Sequence, residues 1–119
     1  MTNSKELLET AVRAADLKRA EDIVALDVAQ VSLLADYFMI CHGNNPRQIE
    51  AIANEIVEKL EEKGATLRRI EGKDSARWIL IDFGDIIIHV FNEEERAFYD
   101  LEKLWGDTPM VDLSHWVDD

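Results

Sequence analysis

The sequence predicts a single α+β domain over residues 1–119, built on a mixed β-sheet with about three helices and ending in an extended tail at 107–119. Three observations predict it. Residues 78–91, WILIDFGDIIIHVF, alternate around a Phe-Gly turn in the manner of a β-hairpin. Ile49, Ile52, Ala53, Ile56, Val57 and Leu60 recur with the helical period. Strand-like and helix-like stretches then follow one another with clear punctuation and no internal repeat, the pattern of helices laid on a sheet.

Each element has its own signals. Ser4 is placed to cap a first helix whose Leu8, Ala11, Val12 and Ala15 share a face, ending near Lys18. Strands are expected over Ile23–Val28 and Asp36–His42. Asn45, Pro46 and Gln48 together mark a helix start: Asn as N-cap, Pro in the first turn, Gln three residues on. Gly64 ends that helix. A third strand over Thr66–Ile70 is weaker, because Arg68 and Arg69 sit inside it. Asn92 and Glu95 form a second capping pair, opening a helix with Phe98, Leu101, Leu104 and Trp105 as its buried stripe and Gly106 beyond it.

Within the hairpin, a register pairing Asp82 with Asp85 sets Leu80 opposite Ile87 and Trp78 opposite His89. Trp78, Leu80, Asp82, Asp85, Ile87, His89 and Phe91 then share one face, and Ile79, Ile81, Ile86, Ile88 and Val90 the other. The second is a core face. The first reads as a surface that meets a partner: apolar and aromatic at its centre, acidic at its edge. Phe83 dislikes the positive φ of a two-residue turn, and a three-residue loop would exchange one strand's faces. The chosen register gathers the polar residues on one side, whereas a slip of one residue puts an acid or the histidine into the core. Each residue also has a purely structural reading. Trp78 can be core beneath a helix, Asp82 and Asp85 turn acceptors, and His89 a satisfied structural histidine. Arg47 can sit in a solvated first turn, although its charge opposes the helix dipole there, which points to a specific contact.

Composition excludes several classes. At 119 residues and 47% hydrophobic content, the chain can bury a core and is not a disordered protein. One cysteine, Cys41, excludes an intramolecular disulfide and a cysteine-rich zinc site. No run reaches the length of a membrane span, and the start MTNSKELLETAV lacks a basic flank and apolar stretch, so a cytoplasmic protein is expected. A net charge of −12 disfavours direct nucleic-acid binding and favours steering toward a basic partner.

Four segments carry a resemblance to a known family: ALDVAQVSLLADYFMICHGNNPRQIEAIA, RIEG, WILIDFGDIIIHVF and ERAFYDLEKLW. Together, from Ala25 to Trp105, they resemble the ribosomal silencing factor, or Iojap-related, family. Asn45 stands where that family commonly has Ser ahead of the Arg-Gln pair, and either residue caps a helix. The resemblance implies a nucleotidyltransferase-like core that transfers no nucleotide. It also implies a partner, the large ribosomal subunit, bound through its basic fourteenth protein at the face where the small subunit docks, so that subunit joining and translation are repressed. Organellar relatives are linked to large-subunit assembly. No cofactor and no metal are expected.

The competing readings are a homodimeric or assembly module and, further off, a metal-dependent nucleotidyltransferase. The Gly43–Pro46 loop leads into a helix start that could hold an anion. It lacks a Gly-Ser start and paired acids spaced for that chemistry. His42, His89 and His115 have no ligand spacing for zinc, and Cys41 points away from its neighbour His42.

Overall fold

The computed structural model describes residues 3–30, 32–33, 35–104 and 108–117, with the backbone alone at 102 and 104. The order is α1 (Ser4–Leu17), β1 (Glu21–Asp27), β2 (Tyr37–Gly43), α2 (Pro46–Glu62), β3 (Arg69–Glu71), β4 (Trp78–Asp82), β5 (Ile86–Asn92), α3 (Glu93–Tyr99) and a short α4 (Leu101–Leu104). The five strands form one sheet in the order β1-β2-β5-β4-β3. β2 and β5 run parallel at its centre and the other neighbours antiparallel, so the sheet is mixed, as the sequence predicts.

Both long helices lie on one face. Leu8, Ala11, Val12 and Ala15 of α1 and Ile49, Ile52, Ala53, Ile56 and Leu60 of α2 are fully buried against Met39, Cys41, Ile79, Ile81, Ile86, Ile88 and Val90. The stripes read from the sequence are the ones buried, Val57 at the margin of the α2 stripe only in part, because a helix facing a sheet must hide one side. Asn45 caps α2 as expected, its side-chain oxygen accepting the Gln48 N–H at 2.8 Å. Gln48 does more than close that cap. Its amide donates to the Lys18 and Arg19 carbonyls, fastening the start of α2 to the end of α1.

Several expectations are corrected. Asn3, not Ser4, caps α1, accepting the Glu6 N–H at 2.9 Å, while the Ser4 hydroxyl donates to Asp36. β1 begins at Glu21 and ends at Asp27, and the third strand shrinks to Arg69–Glu71. The last helix is broken at Asp100, whose φ of 46° is left-handed. Phe98, expected in the buried stripe, is 80% exposed. The Leu104 side chain, Trp105 and Gly106 lie outside the described residues.

Pro109 to Val111 run beside β1, and the chain then turns at 114–116, where the His115 carbonyl accepts from Arg13 of α1. The Asp27 N–H donates to the Pro109 carbonyl and the Val111 N–H to the Ala25 carbonyl, each at 2.9 Å. Val111, Leu113, Trp116 and Val117 pack on the main core.

Candidate functional site

The hairpin register differs from the expected one by two residues. Trp78 pairs with Phe91, Leu80 with His89 and Asp82 with Ile87. The reason is the turn: Gly84, at φ 88°, takes the positive φ that Phe83 resists, and the Asp85 N–H closes it onto the Phe83 carbonyl at 3.2 Å. A shift of two preserves the faces, since side chains alternate with a period of two. Trp78, Leu80, Asp82, Ile87, His89 and Phe91 therefore do share a face, opposite the helices. Asp85 does not join them; it stands exposed at the turn.

Strand order extends this face across the sheet in three rows. One runs Leu26, Phe38, Ile87, Asp82, Arg69; the next Val24, Ile40, His89, Leu80, Glu71; the third Glu21, His42, Phe91, Trp78. Each row is apolar or aromatic at the centre and charged at one end. The result is a shallow groove of about 340 Å³ lined by Phe38, Trp78, Leu80, Ile87, His89 and Leu101, with Asp82 and Arg69 at its border. The expected acidic rim is thus a mixed one. Arg69 pairs with Asp82 across the strands and its guanidinium holds Glu71 at 2.9 Å.

One end of the face is roofed by α3 and built of stacked rings. Trp78 lies 5.0 Å from Phe91 and 4.6 Å from Tyr99, centroid to centroid. Its indole N–H donates to Nδ1 of His89 at 3.0 Å, so His89 is a neutral acceptor carrying its proton on Nε2. Burial pulls the His89 pKa from 6.5 down to about 4, which agrees with that role. Trp78 is half-buried and Phe91 almost wholly so, at 1% exposure. Phe91 therefore supports the surface from beneath. Asp82 accepts the Gly84 N–H at 2.7 Å, the turn-acceptor role the sequence left open. Behind Trp78, Gly72 at φ 90° is so close that a Cβ there would fall 2.0 Å from the Trp78 carbonyl oxygen, so the loop before β4 fixes the tryptophan's backbone.

Arg47 stands apart. It is exposed in the first turn of α2, on the helix-covered side, and does not join the face. Cys41 is buried among apolar groups that push its thiol up to about 12, so it stays protonated. Among the described residues no three His, Cys, Asp or Glu side chains group as a metal site, and no helix is long and apolar enough to cross a membrane. Sequence reasoning missed Phe38, Arg69, Tyr99 and Leu101 as members of the face. The alternation of Phe38 with Ile40 was visible, but only the strand order shows which face they share with Ile87.

The family model described as "Ribosomal silencing factor during starvation" matches residues 1–119. The ribosomal silencing factor RsfS of Bacillus subtilis is 54% identical over 111 residues, covering 93% of this chain and 94% of that protein. Among organellar proteins, mouse mitochondrial assembly of ribosomal large subunit protein 1 is 35% identical over 91 residues, 74% of this chain and 40% of that protein. Maize chloroplastic protein Iojap is 31% identical over 101 residues, 85% and 44% of the two. A crystal structure from Bacillus halodurans superposes with a TM-score of 0.82 at 50% identity, covering 92% of this chain and 100% of that one. Matched along its whole length by one family model, and sharing its fold and half its residues with a solved relative, the chain belongs to the ribosomal silencing factor family of ribosome-associated translation regulators.

Proposed function

We propose that the protein binds the large ribosomal subunit through the open face of its sheet, on the basic fourteenth protein of that subunit, and represses translation by occupying the ground where the small subunit docks. The observation that carries the reading is the half-exposed apolar centre of that face. Phe38, Trp78, Leu80 and Ile87 are half-buried on a sheet whose other face is sealed by helices, in a chain of this family. Half-buried aromatic and aliphatic side chains beside charged ends are the usual layout of a docking centre. The net charge of −12 would speed encounter with a basic ribosomal protein. Repression then needs no bond made or broken. The nucleotidyltransferase-like architecture implied by the resemblance is, in this reading, a scaffold put to use for docking, and the protein acts in the cytoplasm, where the subunits meet.

The mouse relative's name, with its reference to large-subunit assembly, favours a second reading in which the same docking serves assembly. Order of addition separates the two. Added before the subunits are mixed, the protein should keep them apart in a gradient profile; added after joining, it should do far less, because a steric blocker competes only for free large subunits. Pelleting with neither subunit, or an equal effect in both orders, would overturn steric blocking. Leu80→Glu, at the edge of the groove, should remove pelleting while leaving the melting curve nearly unchanged.

A further inference from the structure

α3 is held to the sheet in an unusual way. It has seven residues, too few to persist on their own, and its one buried side chain among the described residues is an arginine, Arg96. Its aromatic neighbour Phe98 faces water. Arg96 reaches instead into a polar cluster under the helix. Nη1 lies 3.0 Å from Nδ1 of His42 and 3.4 Å from the Glu21 carbonyl oxygen. A guanidinium only donates, so His42 Nδ1 accepts and the ring proton sits on Nε2, 3.2 Å from the Glu21 carboxylate. The other carboxylate oxygen of Glu21 accepts from the Asn44 side chain at 3.2 Å. His42 is 5% exposed, so this chain of bonds is fixed in the sheet end and leaves Arg96 little freedom.

Three residues beyond Arg96 on the same helix stands Tyr99, its ring 4.6 Å from that of Trp78. The Asp100 N–H bonds back to the Arg96 carbonyl at 2.9 Å, and the left-handed turn there sends Leu101 onto the groove. The anchor and the roof over the docking face are therefore parts of one short element. We propose that Arg96, held by His42 and Glu21, is the positioning residue that sets Tyr99 against Trp78 and so shapes the aromatic end of the docking face. None of the three need touch the partner. This inference rests on the reading of the open face as the docking surface.

The test uses the full chain and two readouts. The first is the ring resonance of Tyr99, one of only two tyrosines, which the ring of Trp78, 4.6 Å away and tilted by 47°, shifts from its free position. The second is pelleting with isolated large subunits. His42→Phe removes the acceptor and should return the Tyr99 resonance toward the free position and weaken binding roughly tenfold or more. His42→Asn, which offers an oxygen near the place of Nδ1, should restore both. Were His42→Phe to misfold, Arg96→Met, which removes the buried charge altogether, should give the same two changes. An unmoved Tyr99 resonance, or a moved one with binding unchanged, overturns the inference. Leu80→Glu separates the layers: if it binds undiminished, the docking reading falls, while the Tyr99 resonance still decides the clamp.

Discussion

The two faces of the sheet are written by the same strands and obey opposite rules. Ile79, Ile81, Ile86, Ile88 and Val90 face α1 and α2 and are fully buried; Leu80 and Ile87, their immediate neighbours, are not. The covered face is aliphatic, and its only demand is volume. The open face mixes rings, an imidazole and border charges, held by directed contacts such as the Trp78 to His89 hydrogen bond. Most of the core lies on the covered side, and in the proposed docking the open side meets the partner, so substitutions one residue apart should fail in different ways.

Ile88→Ala against Ile87→Ala is the sharpest way to break that contrast. Ile88→Ala should cost about 3 kcal/mol or more, as a cavity left in a packed core does. Ile87→Ala should cost about 1 kcal/mol, because part of its surface is already in water, yet weaken large-subunit binding more. Urea denaturation and pelleting of both variants decide it, and equal stability losses would mean that the open face is core. A pH titration set against that of a His89 variant isolates the open face. His89 has a folded pKa of about 4 against an unfolded value near 6.5, so between those values the unfolded chain binds more protons. Stability should be full above about 6.5, fall as the pH drops, and have lost up to ~3 kcal/mol below about 4. In His89→Asn, which can still accept the Trp78 N–H, that part of the slope should vanish; an unchanged slope places it elsewhere.

Gly72→Ala should cost about 2 kcal/mol through its positive φ and the contact with the Trp78 carbonyl, and it should disturb the open face first. Tryptophan side-chain resonances would report that order, and a variant as stable as the parent would remove the loop's role. Smallest is the effect of salt. The rim is mixed, so steering must come from the charge of the whole chain, and raising salt from 50 to 300 mM should slow association by roughly tenfold with little change in dissociation. A flat association rate would show that the net charge has no part in finding the partner.

The parts of the fold legible in the sequence are those set by local periodicity. The stripe of α2, its Asn45 cap and the inward isoleucines of the hairpin each follow from residues close together in the chain. Sheet order does not, because the parallel neighbours β2 and β5 are joined only after a helix and two strands have intervened. That is why nothing in the sequence sets Phe38 beside Ile87 or Tyr99 beside Trp78. The hairpin faces survived a wrong register because the error was an even number of residues, whereas Asp85 was misplaced because the true turn runs through Gly84 and Asp85. The break at Asp100 gave no signal at all: a left-handed aspartate looks, in sequence, like any helical one.

The segment lying along β1 has a consequence for selectivity. A bare sheet edge offers backbone groups that any extended chain can bond, whatever its side chains. Here Pro109 and Val111 already take the outer N–H of Asp27 and carbonyl of Ala25, and the opposite edge is a strand of three residues with Arg69 and Glu71 paired along it. Strand addition, the least discriminating kind of protein contact, has little purchase at either side. In the proposed docking, recognition is left to side chains on a face, where sequence decides who fits, and fidelity gains from one edge being covered and the other short and charged.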